Sequence, residues 1–165
     1  MNKSIVIISF IFSLTFAQAQ EVVWNDSKTI GLVPQEKWVL VDKGEVLTFH
    51  LKGPSFRSLK GLISISTSPS NNMSLEKLWE MYVLEGFPKL LSAYKEINQG
   101  RFRIDSNLSR WIEYTNESEG VKFQGLSATF VEGDLLYIVT CNSSPEYYKS
   151  VKDDFFKMMN TIVVK

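Results

Sequence analysis

The sequence predicts an α+β domain in which an antiparallel β-sheet is flanked by helices. Three observations favour this architecture. Apolar and polar residues alternate over residues 45–52 and 62–67, which is typical of half-buried strands. Apolar residues recur instead at helical spacing after Ser74 and again after Ser144. From Tyr94 onward, extended stretches are joined by short polar turns, as in an antiparallel meander.

The N-terminal residues have the composition of a cleavable signal peptide. A lysine supplies positive charge at the start, residues 5–16 are apolar, and Ala17 and Ala19 are small residues suited to the cleavage pocket. The apolar stretch is shorter than the roughly 20 residues that a membrane-spanning helix needs. We therefore expect residues 1–19 to be removed and residues 20–165 to form a single domain of a secreted or periplasmic protein.

Extended segments follow the leader. Residues 21–34 predict a short leader strand that ends in a turn set by Pro34, and residues 38–41 predict a second extended segment. The alternation over residues 45–52 places three apolar side chains on one side of a strand and His50 on the other. This strand is expected to lie with its apolar side on the core.

The first helix is predicted over residues 74–85. Ser74 can cap the free backbone amides, and Glu76 lies favourably in the positive first turn. Gly86 and Pro88 are expected to stop or kink the helix, and Leu90 and Leu91 could add a further turn. The predicted apolar stripe that faces the sheet consists of Leu75, Leu78, Trp79, Tyr82 and Val83.

The meander is predicted to contain four strands. They span residues 101–104, 111–114, 121–131 and 135–141, and the turns between them span residues 105–107, 116–120 and 132–134.

The register of the 101–115 hairpin stays open. If Phe102 pairs with Trp111, then Arg103 faces Arg110 and a small cationic patch results, which would suit an anionic ligand but is more often ordinary solubilising charge. A slip of one residue sets Arg101 against Glu113 instead.

A second helix closes the chain. Ser144 and Pro145 occupy N-cap and first-turn positions. One face of the predicted helix is apolar and consists of Tyr148, Val151, Phe155, Met158 and Met159.

Composition excludes several classes of function. Lys and Arg together equal Asp and Glu, so no net charge favours binding to nucleic acid. Cys141 is the single cysteine, which excludes an intramolecular disulfide, and it lies far from the cleavage region where a lipoprotein would carry its lipid. We expect Cys141 to be a buried, unreactive thiol rather than a nucleophile.

No residues are predicted to form a catalytic, cofactor or metal site. His50 is the only histidine and stands on the polar side of a strand, and one histidine with one cysteine cannot make a zinc site. Four carboxylates fall in turns that could gather at one end of the sheet, where a calcium site or a glycosidase pair would be possible in principle. Solvated turn residues are the favoured interpretation of these four, which are Glu117, Glu119, Glu132 and Asp134.

The aromatic residues divide into two groups. Trp79, Tyr82, Phe130 and Phe155 have the spacing of core residues. The residues without a periodic place, which could contribute to a partner surface, are Trp24, Trp38, Phe56 and Tyr147.

The order of these elements resembles the PsbP-like fold, which PsbP shares with DcrB-type and LpqN-type exported proteins. The resemblance rests on Pro34 and Trp38, on the Ser74 helix start, on residues 111–114, and on the run from residue 136 through Tyr147-Tyr148 to Met159. It implies an α-β-α sandwich and a non-enzymatic binding or assembly role: PsbP supports the oxygen-evolving apparatus, and a nuclear relative binds a small GTPase. No functional residue of the family is carried over.

These observations favour an exported, soluble, non-enzymatic binding or accessory module without a cofactor, whose partner is a protein of the cell envelope. Two alternatives stay open. One is a protein that binds a small molecule or lipid in a cavity between the 74–85 helix and the sheet. The other is a hydrolase that uses two of the turn carboxylates, one of them with a strongly raised pKa.

Overall fold

The computed structural model describes residues 21–51 and 59–165. Phe56 and the predicted signal peptide, residues 1–19, therefore lie outside the described residues. The strands are β1 Val23–Trp24, β2 Ile30–Leu32, β3 Trp38–Asp42, β4 Leu47–Leu51, β5 Gly61–Pro69, β6 Ser92–Ile104, β7 Asn107–Ser118, β8 Val121–Glu132, β9 Leu135–Ser143 and β10 Val163–Val164. The helices are α1 Leu75–Trp79, α2 Phe87–Leu90 and α3 Pro145–Met159, and a π-helix, Glu80–Gly86, joins α1 to α2.

The centre of the fold is a seven-stranded antiparallel sheet in the order β3-β4-β5-β9-β8-β7-β6. The alternation predicted for β4 and β5 is confirmed, because Phe49 and Ile63 are fully buried and lie opposite each other in the register. Helix α3 covers this side of the sheet. Its predicted apolar face is confirmed, since all five of its residues are buried.

A second, three-stranded sheet ties the two ends of the described chain together. The segment predicted as a leader strand forms β1 and β2, and the C-terminal strand β10 pairs with β2 through Val163 and Gly31. Strand β10 was not predicted. Its two residues are too few for a periodic pattern, and its pairing depends on a partner more than a hundred positions away.

The first helical segment continues past residue 85 to Leu90, in agreement with the alternative of a further turn after Pro88. Ser74 is the N-cap, and its hydroxyl accepts a hydrogen bond from the Lys77 amide at 3.3 Å. The chain stays helical past Gly86 and Pro88 because the π-helix changes the hydrogen-bond spacing and proline then stands in the first turn of α2. The wider π turn also moves Tyr82 off the buried stripe, and its 39% exposure corrects the prediction that it is a core residue.

The hairpin between β6 and β7 has neither predicted register. Its turn contains only Asp105 and Ser106, both with positive φ, at 45° and 68°. Ile104 therefore pairs with Asn107, and Arg101 faces Arg110. The predicted pairings of Phe102 with Trp111 and of Arg101 with Glu113 are wrong, because a two-residue turn sets the register and the sequence pattern assigned it three or more residues.

Candidate binding surface on the open face of the sheet

The two faces of the large sheet are covered unequally. On the side opposite α3, the helical segment packs over β7, where Trp79 and Val83 form an apolar cluster with Ile112 and Tyr114. The space between this segment and the sheet, where a ligand cavity was an open alternative, is filled by these side chains. The neighbouring strands on this side are less covered.

We call this less covered region the open face; it is the side of β3, β4, β5 and β9 that points away from α3. The contrast is clear along β5, where Ile63 and Ile65 are fully buried while Ser64 and Ser66 are half-exposed. Cross-strand pairing joins the side chains into rows. Leu136, at the start of β9, is fully buried on this side and is not part of it. The open face consists of Val39, Thr48, His50, Leu62, Ser64, Ser66, Ile138, Thr140 and Asn142.

The open face is neutral and mixes apolar groups with hydroxyl and amide groups. None of its residues is Asp, Glu, Lys or Arg. Thr48 and Ser64 are hydrogen-bonded to each other at 3.1 Å. At its edge, β3 exposes 43% of Val39 and 57% of Val41. An apolar edge strand of this kind is a site at which proteins pair with other chains.

A cleft of about 270 Å³ lies at one end of the open face. Asn116 pairs with Phe123, and Asn142 pairs with both Leu62 and Gly125, so these side chains share one side of the sheet. We call it the amide cleft; it is lined by Leu59, Leu62, Asn116, Ser118, Phe123 and Asn142.

Two polar groups of the amide cleft have unused hydrogen-bonding capacity. The Oδ1 atom of Asn116 is buried and has no hydrogen-bond partner among the described residues. The Tyr114 hydroxyl donates to Oδ1 of Asn142 at 3.5 Å, the limit for a hydrogen bond, so this oxygen can still accept another donor. Gly125 makes this arrangement possible, because a Cβ there would lie 2.7 Å from Tyr114 Cζ.

The predicted residues of interest are dispersed. His50 is half-buried on the open face, between Val39 and Leu62 of the adjacent strands. Cys141 lies on the opposite side of the sheet and is fully buried, as predicted, and burial raises the pKa of its thiol well above the ordinary value. Trp38 is buried against Phe155, whereas Trp24 and Tyr147 are half-buried.

The turn carboxylates do not gather at one end of the sheet. Glu117 and Glu119 lie at the hairpin that precedes β8, and Glu132 and Asp134 lie at the hairpin that follows it. Strand β8 has twelve residues and therefore holds the two pairs at its opposite ends. Among the described residues, no group of three or more His, Cys, Asp or Glu side chains is placed to hold a metal ion.

Among the residues that the structure describes, the buried carboxylate is that of Glu113, which the sequence pattern did not identify as buried. It is 5% exposed and lies under α3. Lys152 Nζ donates to Glu113 Oε2 at 2.6 Å, and Gln124 Nε2 donates to Oε1 at 2.8 Å. Burial, together with the nearby Glu113 charge, raises the pKa of Tyr148. We interpret this cluster as a stabilising network, since both carboxylate oxygens already have partners.

The predicted cationic patch is present, but Arg101 and not Arg103 faces Arg110. Arg101 and Arg110 face each other, and Glu76 of α1 binds both, at 2.8 Å and 2.6 Å. The Arg110 guanidinium also lies over the Trp79 ring, 4.6 Å from its centroid. Because a carboxylate and a ring already engage these arginines, the patch is a weak candidate for binding an anionic ligand.

In residues 21–51 and 59–165, we find no helix with both the length and the apolar character needed to cross a membrane.

Comparison with known proteins establishes the fold. No family model and no curated protein sequence matches the chain. LpqN of Mycobacterium tuberculosis is 9% identical, with a TM-score of 0.68 over 88% of this chain and 90% of that chain. CyanoP, the PsbP of Synechocystis, is 14% identical, with a TM-score of 0.60 over 88% and 92% of the two chains.

A eukaryotic protein has the same architecture. The Ran-binding protein Mog1p of Saccharomyces cerevisiae is 7% identical, with a TM-score of 0.59 over 87% of this chain and 94% of that chain. The chain thus has the PsbP-like fold that the sequence predicted, an α+β sandwich shared by proteins with almost no sequence identity.

Proposed function

We propose that this protein is an exported, non-catalytic binding or accessory module that engages a protein partner of the cell envelope through its open face. One observation carries the proposal. The side chains that face α3 are buried, whereas the neutral polar and apolar side chains of the open face are half-exposed. The open face also ends in an apolar edge strand, β3. Neutral surfaces with apolar groups are typical of the centres of protein interfaces.

The structural neighbours support the proposal only by analogy of fold. LpqN is described as involved in cell envelope biogenesis, and Mog1p as a Ran-binding protein. The signal-like composition of residues 1–19 supports export. The neutral overall charge favours a protein partner over nucleic acid.

Capture of a partner from a native envelope extract tests the proposal. Tagged protein should enrich a specific protein, and an excess of untagged protein should compete for it. Val39→Lys and Ser66→Lys, each of which places a charge on the open face, should abolish the enrichment. Leu90→Lys is the matched control, because Leu90 is 81% exposed on α2, outside the open face, and this variant should capture the partner normally.

Two outcomes would contradict the proposal. One is capture that survives both charge substitutions on the open face. The other is failure to enrich any protein while lipid co-purifies with the chain, which would favour a ligand carrier instead. Circular dichroism of each variant separates lost binding from lost folding.

A further inference from the structure

We propose that the amide cleft binds a neutral carbohydrate. The inference rests on the proposed function in that the cleft belongs to the same open face, and it adds the chemical class of a ligand. The argument begins with charge. None of the six residues that line the cleft is ionisable at neutral pH. The four other clefts described on the surface each contain Lys, Asp or Glu.

The polar groups of the cleft match a ligand that both donates and accepts hydrogen bonds. A side-chain amide offers a carbonyl oxygen and two N–H donors, and a sugar hydroxyl can satisfy either. Asn116 contributes its side-chain amide to the lining of the cleft, and Asn142 supplies an oxygen with only a long contact. Ser118 adds a hydroxyl at the rim. A hydroxyl-rich ligand can donate a hydrogen bond to the Asn142 oxygen, which still has capacity to accept one.

The apolar part of the cleft matches the C–H face of a sugar ring. Phe123 is half-buried and lines the cleft beside Leu62. An aromatic ring flanked by a few polar groups is the usual composition of a small-molecule site. A volume of about 270 Å³ is suited to one sugar ring rather than to a large ligand.

The cleft also has room for a longer chain of sugars. Asn116 lines two neighbouring clefts at the end of β7, one of about 350 Å³ beside the end of α2 and one of about 390 Å³ beside the start of α3. Both contain Glu117, and the second also contains Lys95 and Lys122, so they are charged where the amide cleft is not. A second ring could lie there while the first occupies the uncharged cleft. We therefore expect disaccharides to bind more tightly than monosaccharides.

Titration of ¹⁵N-labelled protein with a panel of neutral disaccharides tests the inference. The panel contains cellobiose, maltose and N,N′-diacetylchitobiose; glucuronic acid is the charged comparison, and a capped alanine dipeptide is the peptide comparison. At least one disaccharide should shift the resonances of Asn116, Phe123 and Asn142. Phe123→Ala should weaken this binding about tenfold through loss of the ring contact. Asn116→Leu, which keeps the ring, should also weaken it.

Phe156→Ala is the matched control, because Phe156 is likewise half-buried but packs on Phe102 and Trp111. This variant should bind as the wild type does. The inference is overturned if no disaccharide moves these resonances, if only the capped dipeptide does, or if both cleft variants bind normally. Partner capture, measured with and without excess disaccharide, tests the proposed function separately. If the protein partner is captured although no sugar binds, only the carbohydrate inference fails.

Discussion

Glu113 illustrates how a single charged side chain is accommodated in this core. A carboxylate is rarely buried without partners, because transfer of its charge out of water is costly. Here Lys152 and Gln124 each satisfy one of its oxygens. The two side chains differ in exposure: 34% of the Lys152 side chain is exposed to solvent, but only 6% of the Glu113 side chain is. Removing the lysine should therefore be more harmful than removing an ordinary surface charge.

We expect Lys152→Ala to lower the free energy of unfolding by about 1–3 kcal/mol, less than for a fully buried pair because the lysine is partly solvated. Urea denaturation monitored by tryptophan fluorescence measures the change. Lys77→Ala is the control, since Lys77 and Glu80 form an exposed pair at 2.8 Å whose loss should have a much smaller effect on stability. Equal effects of the two substitutions would contradict the interpretation of Glu113 as a buried, paired charge.

Cys141 should make stability depend on pH in the alkaline range. Burial raises its pKa in the folded state, so above about pH 8.5 the unfolded chain releases a proton that the folded chain keeps. The free energy of unfolding should then fall as pH rises, by up to about 1.4 kcal/mol per pH unit. The buried phenols of Tyr114 and Tyr148, whose pKa values are also raised, add to this loss only above about pH 10.

Urea denaturation at a series of pH values from 7 to 10 measures this dependence. Cys141→Ala should be less stable at every pH because of the cavity, but its stability should lose the decline between about pH 8.5 and 10. An unchanged slope in Cys141→Ala would show that other groups cause the alkaline loss.

At the scale of elements, turn length decided the register of the hairpins, which the alternating pattern left undetermined. The pattern identified the strands of the meander, and the structure extends β6 and β7 by several residues beyond the predicted bounds. The β7–β8 turn contains only Glu119 and Gly120, both with positive φ, whereas residues 116–120 were predicted. Polar residues near a hairpin look like turn residues whether they are paired or not, so composition overestimates the turn and leaves the register undetermined.

The π-helix is a second element-scale feature that the sequence pattern did not reveal. Residues around Glu80–Gly86 have the apolar spacing of an α-helix over one turn. In the structure the wider π-helical turn lets Val83 and Phe87 both pack against Tyr114 of the sheet. Tertiary packing therefore decided the local hydrogen-bond spacing.

Close approach of strands β8 and β7 depends on Gly125. A Cβ at this position would lie 2.7 Å from both Tyr114 Cζ and Asn142 Oδ1. We expect Gly125→Ala to displace the Tyr114 ring and to lower the free energy of unfolding by about 1–3 kcal/mol, measured by thermal and urea denaturation.

Gly44→Ala is the control for this substitution, since its nearest neighbour would lie 3.5 Å away, at ordinary contact distance. Its stability should stay the same or rise by up to about 1 kcal/mol, because alanine restricts the unfolded chain. A neutral effect of Gly125→Ala would mean that Tyr114 can move freely, contrary to its burial in the aromatic cluster.

At the scale of the whole molecule, strand order creates the open face. Strand β9 lies between β5 and β8, so the last strand of the meander joins the N-terminal hairpins to the C-terminal ones. The helical segment that follows β5 packs back over β7, where Trp79 and Val83 contact Ile112 and Tyr114. The side chains of the open face, on β3, β4, β5 and β9, are consequently left half-exposed. Separately, pairing of β2 with β10 joins the two ends of the described chain.

Export is the whole-molecule property that can be tested most directly. When the full sequence is expressed in a host with a secretory pathway, we expect the mature protein to begin at Gln20 and to be recovered outside the cytoplasm. Intact mass and N-terminal sequencing measure the cleavage position. Ala19→Arg should block cleavage, because the pocket of the signal peptidase requires a small residue. Recovery of the uncleaved wild-type chain in the cytosol would contradict the export proposal.

The sequence by itself determined the α+β class, the apolar face of α3, the cap at Ser74 and the burial of Cys141, because each follows from residue types at short, regular spacing. Tertiary structure decided the hairpin registers, the π-helix, the partners of Glu113 and the meeting of Asn116, Phe123 and Asn142 at one cleft. The hairpin registers depend on the lengths of the turns, and the other three features depend on contacts between residues far apart in the chain. Local periodicity cannot encode such contacts, since it specifies which side of an element faces the core but not which element lies against it.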